Sequence, residues 1–73
     1  MIAIIKGNVT HYMISSNTNY NEKEDKHELW ISRPNGKNLK IKESSDEEEI
    51  ILIKEAIDYG IEHGEHAIRL EEV

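Results

Sequence analysis

The order of apolar and polar residues predicts strands at both ends of the chain. The segment IAIIKGNVTHYMIS is typical of two short strands joined by Gly7 and Asn8, because this dipeptide tolerates the positive φ of a two-residue hairpin turn. A single long strand with a glycine bulge is the alternative interpretation. Near the other end, HAIRLEEV alternates and predicts a last short strand with Ile68 and Leu70 on one face.

The segment ELWISRPNGKNLKIKE predicts a second hairpin. A two-residue Asn-Gly turn would set apolar residues against charged ones on the same face. A three-residue loop at 34–36 instead pairs Ile31 with Leu39 and Leu29 with Ile41, which makes one face wholly aliphatic. The opposite face then receives three pairs, which are Trp30 with Lys40, Glu28 with Lys42, and Ser32 with Asn38.

A helix is predicted to begin in SSDEEEIILIKEAIDYG and to end between Gly60 and Gly64. Ser44 and Ser45 are good N-cap residues, and each is followed three residues later by a glutamate, which is a doubled capping box. Acidic side chains in the first turn are also favoured by the helix dipole. The run of acids is therefore explained by a helix start and requires no bound metal.

The apolar residues of this helix fall mainly on one side. Ile50, Ile53, Ile57 and Ile61 lie within one narrow arc, flanked by Ala56 and Gly60, and predict the face that covers a sheet. Three further apolar residues remain outside this arc, which are Ile51, Leu52 and Tyr59.

The polar segment SSNTNYNEKEDKH, residues 15–27, has no periodicity and one aromatic residue, so it predicts an exposed, flexible loop. With the helix and hairpins, the whole pattern predicts a single α+β domain over residues 1–73. We expect a small, mainly antiparallel sheet of about four strands with one helix packed on one face.

Composition narrows the possible functions. The chain has 73 residues and a net charge of −6. It contains no cysteine, and this absence excludes thiol catalysis and disulfides. Residues 1–42 carry +3 and residues 43–73 carry −9, so the negative charge is concentrated in the second part. The first apolar run has four residues, too few for a signal peptide or a membrane span. We therefore expect a cytoplasmic protein without membrane attachment.

The histidines give little support for metal or catalytic chemistry. His63 and His66 in IEHGEH are three residues apart across a predicted helix end, whereas the zinc-protease arrangement places two histidines four apart within one helix. The sequence also lacks a nucleophile elbow and a glycine-rich phosphate loop. We predict no enzymatic activity, no cofactor and no metal site, although a distorted site at the two histidines stays an open alternative.

Binding surfaces are better supported. Trp30 on the outer hairpin face is an aromatic of the kind enriched in interface hot spots, and acids at an interface rim attract a basic partner. The predicted protein-binding residues are Trp30, Glu43, Asp46, Glu47, Glu48, Ile51, Leu52 and Tyr59. An alternative prediction is a nucleic-acid-binding accessory protein. It would use Trp30, Arg33, Lys37, Lys40 and Lys42.

Residues 29–60, LWISRPNGKNLKIKESSDEEEIILIKEAIDYG, resemble the hairpin-then-helix segment of small acidic phage proteins, the DNA-mimicking type II-A anti-CRISPR inhibitors. In that family, acidic side chains occupy the Cas9 site that would receive the recognition element of the target DNA. The resemblance implies a phage or prophage inhibitor acting by surface occupancy. Arg33 and Lys37 beside the hairpin loop depart from the family, and no functional residue is carried over.

The number of apolar residues outside the predicted core indicates self-association. Ile51, Leu52, Tyr59 and Trp30 are many large apolar side chains for a small monomer to expose, and such patches usually mark association sites. We therefore expect a homodimer that also binds a protein partner with a basic surface. Nucleic-acid binding is the less favoured alternative because the whole chain is acidic.

Overall fold

Six strands and one helix make up the structure, a computed structural model that describes residues 1–70. In chain order they are β1 (Ile2–Lys6), β2 (Val9–Met13), β3 (Ser15–Asn21), β4 (Lys26–Ser32), β5 (Asn38–Ser44), α1 (Glu47–Glu62) and β6 (Ala67–Leu70). The α+β class with one helix is confirmed. The last three residues of the segment predicted to form the final strand lie outside the described residues.

The strands form two sheets of three, in the orders β2-β1-β6 and β3-β4-β5, rather than one sheet of about four. Three of the four strand pairs are antiparallel, and β1 pairs with β6 in parallel. The two sheets meet where β2 leads into β3, and there the Ile14 amide donates to the Ser32 carbonyl at 2.8 Å. The Lys6 ammonium also donates to the Ile41 carbonyl at 2.6 Å, which joins β1 to β5.

The first hairpin forms as predicted. Lys6 pairs with Val9, so Gly7 and Asn8 are the two turn residues, and the alternative of one long bulged strand is wrong. Gly7 has a φ of 63° whereas Asn8 does not have a positive φ. This combination is that of a type II′ turn, in which glycine at the first central position supplies the twist that a hairpin needs.

The loop predicted over residues 15–27 is corrected by the structure. Ser15–Asn21 form the edge strand β3, which pairs with β4 along its whole length, and only residues 22–25 remain as the turn. The strand was missed because its residues are almost all polar. An edge strand that exposes most of its side chains needs no apolar alternation, and its backbone bonds to β4 hold it in place.

The second hairpin has the predicted loop but a different register beyond it. Ile31 pairs with Leu39, and Trp30 pairs with Lys40, as predicted. A β-bulge then shifts the register, so the predicted pairs Leu29 with Ile41 and Glu28 with Lys42 are wrong. The observed pairs are Leu29 with Lys42 and Glu28 with Glu43. The extra residue of the bulge is Ile41, which is nevertheless buried in the core.

Helix α1 begins one residue later than the predicted caps. Asp46 is the N-cap, and its carboxylate accepts from the Glu48 amide at 3.0 Å. Ser44 acts before the cap, because its hydroxyl accepts from the Asp46 amide at 3.0 Å and donates to the Glu49 carboxylate at 2.8 Å. Ser45 makes no side-chain hydrogen bond within residues 1–70. Aspartate and serine are about equally favourable at an N-cap, so Asp46 can occupy the position in place of either serine.

The core lies between α1 and the two sheets. Its buried side chains are Ile4, Met13, Leu29, Ile31, Ile41, Ile50, Ile57 and Ile68. Burial of each contributes roughly 1.5 to 3 kcal/mol relative to exposure. Gly60 brings the helix close to β6, since a Cβ there would lie 2.9 Å from Ile68 Cδ1. Ile61, predicted to be part of the buried stripe, is 41% exposed because it lies in the last turn.

Candidate functional site

The outer face of the β3-β4-β5 sheet is a polar network centred on Glu28. This carboxylate is 3% exposed and accepts hydrogen bonds from Asn19 Nδ2 at 2.9 Å and Trp30 Nε1 at 3.0 Å. Asn21 Nδ2 also donates to it at 3.3 Å, and Lys40 Nζ lies 3.5 Å away. These hydrogen bonds lower the pKa of Glu28 to about 2. The bond from Asn19 has the largest effect, and the bond from Trp30 has the next largest.

Three lysines of the β3-β4-β5 sheet are paired with carboxylates of the same chain. Lys40 lies 2.8 Å from Glu43, and their hydrogen bond raises the pKa of Lys40 and lowers that of Glu43. Lys26 lies 3.7 Å from the same carboxylate. Lys42 is on the helix side of the sheet, 3.1 Å from Glu49. Of the four basic residues predicted to face a nucleic acid, Lys40 and Lys42 are therefore paired with carboxylates within the protein.

The structure separates the residues of the predicted nucleic-acid surface. Trp30 and Lys40 are paired on the outer face of the sheet, while Lys42 is on the opposite face. Arg33 and Lys37 lie at the turn between β4 and β5, where the Arg33 amide donates to the Lys37 carbonyl at 3.1 Å. The five side chains consequently do not form one continuous platform.

The predicted protein-binding residues also divide between two surfaces. Trp30 and Glu43 belong to the outer face of the sheet, whereas the remaining six belong to α1 or its cap. On the solvent side of the helix, Leu52 is 59% exposed and Tyr59 is 62% exposed. Spaced seven residues apart, they lie on the same side of the helix. The Tyr59 ring stacks on His63 with centroids 3.9 Å apart.

A groove of about 580 Å³ lies between β3 and the first turn of α1. Its lining residues are Thr18, Asn19, Tyr20, Asp25, His27, Glu47, Ile50 and Ile51. The Tyr20 and His27 rings have centroids 4.9 Å apart, and His27 Nδ1 is 3.6 Å from the Glu47 carboxylate. The Tyr20 hydroxyl donates to the Asp25 carboxylate, and this bond raises the pKa of Tyr20.

The sequence predicted only two residues of this groove, Glu47 and Ile51, as binding residues. Tyr20, Asp25 and His27 were missed because they lie in the segment interpreted as a loop. Tyr20 was the one available signal, because it is the single aromatic residue in that polar segment. Its pairing with His27 across β3 and β4 places both rings on the helix side of the sheet.

The two histidines near the helix end, His63 and His66, are not joined by further metal ligands among residues 1–70. His63 Nδ1 lies 2.8 Å from the Tyr59 carbonyl, so this nitrogen is engaged by the helix backbone. Within residues 1–70, no group of three or more His, Cys, Asp and Glu side chains is arranged to hold a metal ion.

Helix α1, the one helix among the described residues, is too short and too polar to cross a membrane. No family model, no curated protein and no solved structure matches the chain. The function must therefore be inferred from the surfaces themselves.

Proposed function

We propose that this chain is a non-enzymatic protein-binding module that docks the solvent side of α1 on a partner with a basic surface. The observation that carries the proposal is the exposure of Leu52 and Tyr59, more than half of each side chain, on a helix rich in acids. Large apolar side chains on the solvent side of α1 lower the solubility of the protein and do not contribute to its core. A surface that is apolar at its centre and charged at its rim is typical of protein interfaces.

The charges of α1 supply the attraction to a basic partner. Glu47, Glu48 and Glu49 stand in the first turn, and the last turn has no basic residue. Of these acids, Glu49 is paired with Lys42. The others remain exposed and extend the negative field of residues 43–73. Such charges mainly raise the association rate, and their effect weakens with salt.

An inhibitor of phage or prophage origin is one specific form of this function. Acidic side chains on the helix would imitate DNA phosphates and occupy the DNA-binding site of another protein. DNA would then be blocked from that site. The support is the charge of α1 together with the resemblance over residues 29–60. Cytoplasmic location and action on a DNA-binding host protein belong to the same proposal.

The alternative, nucleic-acid binding through the hairpin, is weakened by two contacts. Trp30 donates its indole N–H to Glu28, and Lys40 is held between Glu28 and Glu43. A phosphate approaching Lys40 would meet two carboxylates at the same time. Titration with oligonucleotides, observed through Trp30 fluorescence, distinguishes the two functions. Salt-sensitive quenching of Trp30 would favour the alternative and count against the proposal.

Affinity capture from a host lysate tests the helix surface. The double variant Leu52→Ser/Tyr59→Ser removes the apolar centre, and Glu48→Lys/Glu55→Lys reverses nearby charge. A matched control is Glu22→Lys/Glu24→Lys, which makes the same charge change in the turn between β3 and β4. We expect partners that the wild type and the control retain but that both helix variants lose. Equal recovery by all four proteins would refute docking through α1.

A further inference from the structure

We propose that the groove between β3 and the first turn of α1 binds an arginine side chain of the protein partner. This inference rests on the proposed function and specifies one chemical group that the partner supplies. The groove volume of about 580 Å³ lies within the range of sites that hold small ligands. Its lining combines apolar, aromatic and anionic groups, each of which matches one part of an arginine side chain.

The apolar part of the groove matches the hydrocarbon stem of arginine. Ile50 is fully packed in the core and forms a fixed wall, and Ile51 is half-exposed beside it. Long cationic side chains characteristically bury their methylene groups along apolar surface while their charged ends stay near polar groups. Ile51 would thereby contact the stem of the bound side chain.

The anionic part consists of Asp25 and Glu47. Within residues 1–70, no Lys or Arg nitrogen lies within 4.0 Å of either carboxylate. Glu43, Glu49 and Asp58, by contrast, are each paired with a lysine. Asp25 accepts from the Tyr20 hydroxyl, and Glu47 lies 3.6 Å from His27 Nδ1. A carboxylate has about four lone-pair sites, so both can still bond a cation from outside the described part of the chain.

The sign of the ligand follows from comparing the charges. The helix N-terminus contributes about half a positive charge, which by itself favours an anion. The groove holds two full carboxylates, Asp25 and Glu47, and Asp46 and Glu48 are adjacent to Glu47 in the chain. These negative charges exceed the dipole contribution several-fold, so a cation is favoured over a phosphate or a carboxylate.

The aromatic part favours arginine over lysine. The Tyr20 and His27 rings lie with centroids 4.9 Å apart and planes tilted by 41°, and both residues line the groove into which a flat group would enter. A guanidinium is planar, stacks on aromatic rings and bonds carboxylates with two parallel N–H groups, whereas an ammonium is a compact, strongly hydrated charge.

Amide NMR titration with N-acetyl-arginine methylamide tests the assignment directly. We expect saturable shifts in the backbone amides of Tyr20, His27, Glu47 and Ile51, with a dissociation constant on the order of 1 mM for so small a probe. The lysine analogue should bind more weakly. The norleucine and glutamate analogues, which lack the positive charge, should leave these amides unchanged. Equal or stronger shifts with any of these three probes would overturn the assignment.

Variants locate the binding within the groove. Glu47→Gln and Asp25→Asn should each raise the dissociation constant about two- to fivefold, as for exposed ion pairs. Asparagine suits position 25 because it tolerates the φ of 52° found there. The control Glu48→Gln makes the same change in the same helical turn but outside the groove. Unchanged affinity in both groove variants would refute the site.

The titration uses no protein partner, so its outcome is separable from the capture experiment. Failure of the arginine probe removes the groove assignment and leaves docking through Leu52 and Tyr59 untouched. Probe binding together with equal capture by all helix variants would support the groove and refute the helix surface.

Discussion

Glu28 shows how a single charged residue can be buried in so small a protein. Its carboxylate is covered by the side chains of Asn19, Trp30 and Lys40, each of which turns an N–H group toward it. A buried anion with several donors is strongly held in its charged form, and removal of that charge leaves the donors without an acceptor. Trp30 is thus positioned by Glu28, which accounts for an aromatic on a polar face.

The lowered pKa of Glu28 predicts acid sensitivity. The folded-state pKa is about 2, below the ordinary value of 4.5, so the contribution of Glu28 to stability is complete above about pH 4.5. It is lost progressively as the pH falls from 4.5 toward 2. We expect the urea midpoint of the wild type to fall across this range. Glu28→Gln should be less stable at pH 7 and should lose less on acidification.

Urea unfolding at pH 7, pH 4 and pH 3 measures both effects. Glu43 and Glu49 also have lowered pKa values, from hydrogen bonds with Lys40 and Ser44 respectively, so some acid sensitivity should persist in the variant. Glu22→Gln, in the exposed turn, is the control. Parallel pH profiles for wild type and Glu28→Gln would contradict the role assigned to this carboxylate.

The start of helix α1 is capped by Asp46, with Ser44 bonded immediately before it. Asp46 caps the helix through the Glu48 amide, and its acidic charge also favours the positive helix end. Asp46→Ala should lower the free energy of unfolding by about 0.5 to 2 kcal/mol, and Ser45→Ala should change it little. Chemical denaturation followed by far-ultraviolet circular dichroism compares the two. A larger loss from Ser45→Ala would restore the capping box predicted from the sequence.

The sequence predicted those elements that depend on contacts between residues close together in the chain. The Gly7-Asn8 turn, the loop at 34–36 and the extent of α1 depend on neighbouring residues, so they could be predicted from the sequence. The strand at Ser15–Asn21 and the bulge at Ile41 depend on pairing with β4, which no local pattern encodes. The groove could not be predicted for the same reason, because residues 18–27 and 47–51 meet only in the folded chain.

Many apolar side chains remain outside the core. Ile51, Leu52 and Tyr59 on α1 are exposed, and Tyr12 and Ile14 on the β2–β3 side of the molecule are exposed as well. Each would contribute roughly 1.5 to 3 kcal/mol if fully buried in an interface, before the costs of association. Because these apolar side chains are exposed, we still predict self-association, in addition to the binding of a heterologous partner.

Light scattering at high micromolar concentration tests for a dimer. We expect a mass near 17 kDa, about twice the 8.5 kDa of the chain. Ile51→Glu should shift the mass toward the monomer by placing a charge in the interface. Trp30→Ala, on the far side of the β3-β4-β5 sheet, is the matched comparison, with circular dichroism to verify folding. A wild-type mass near 8.5 kDa would leave the exposed apolar residues for a heterologous partner.

The parallel pairing of β1 with β6 has a consequence for the order of folding. Ala3 pairs with Ala67, so this contact joins residues 64 positions apart, whereas the three hairpins, β1-β2, β3-β4 and β4-β5, close across short turns. Closing so long a loop costs about 4 kcal/mol in chain entropy, which no local contact offsets. We expect the hairpins to form early and β6 to dock last. In pulse-labelled hydrogen exchange, the amides of β6 should therefore become protected more slowly than those of the hairpins.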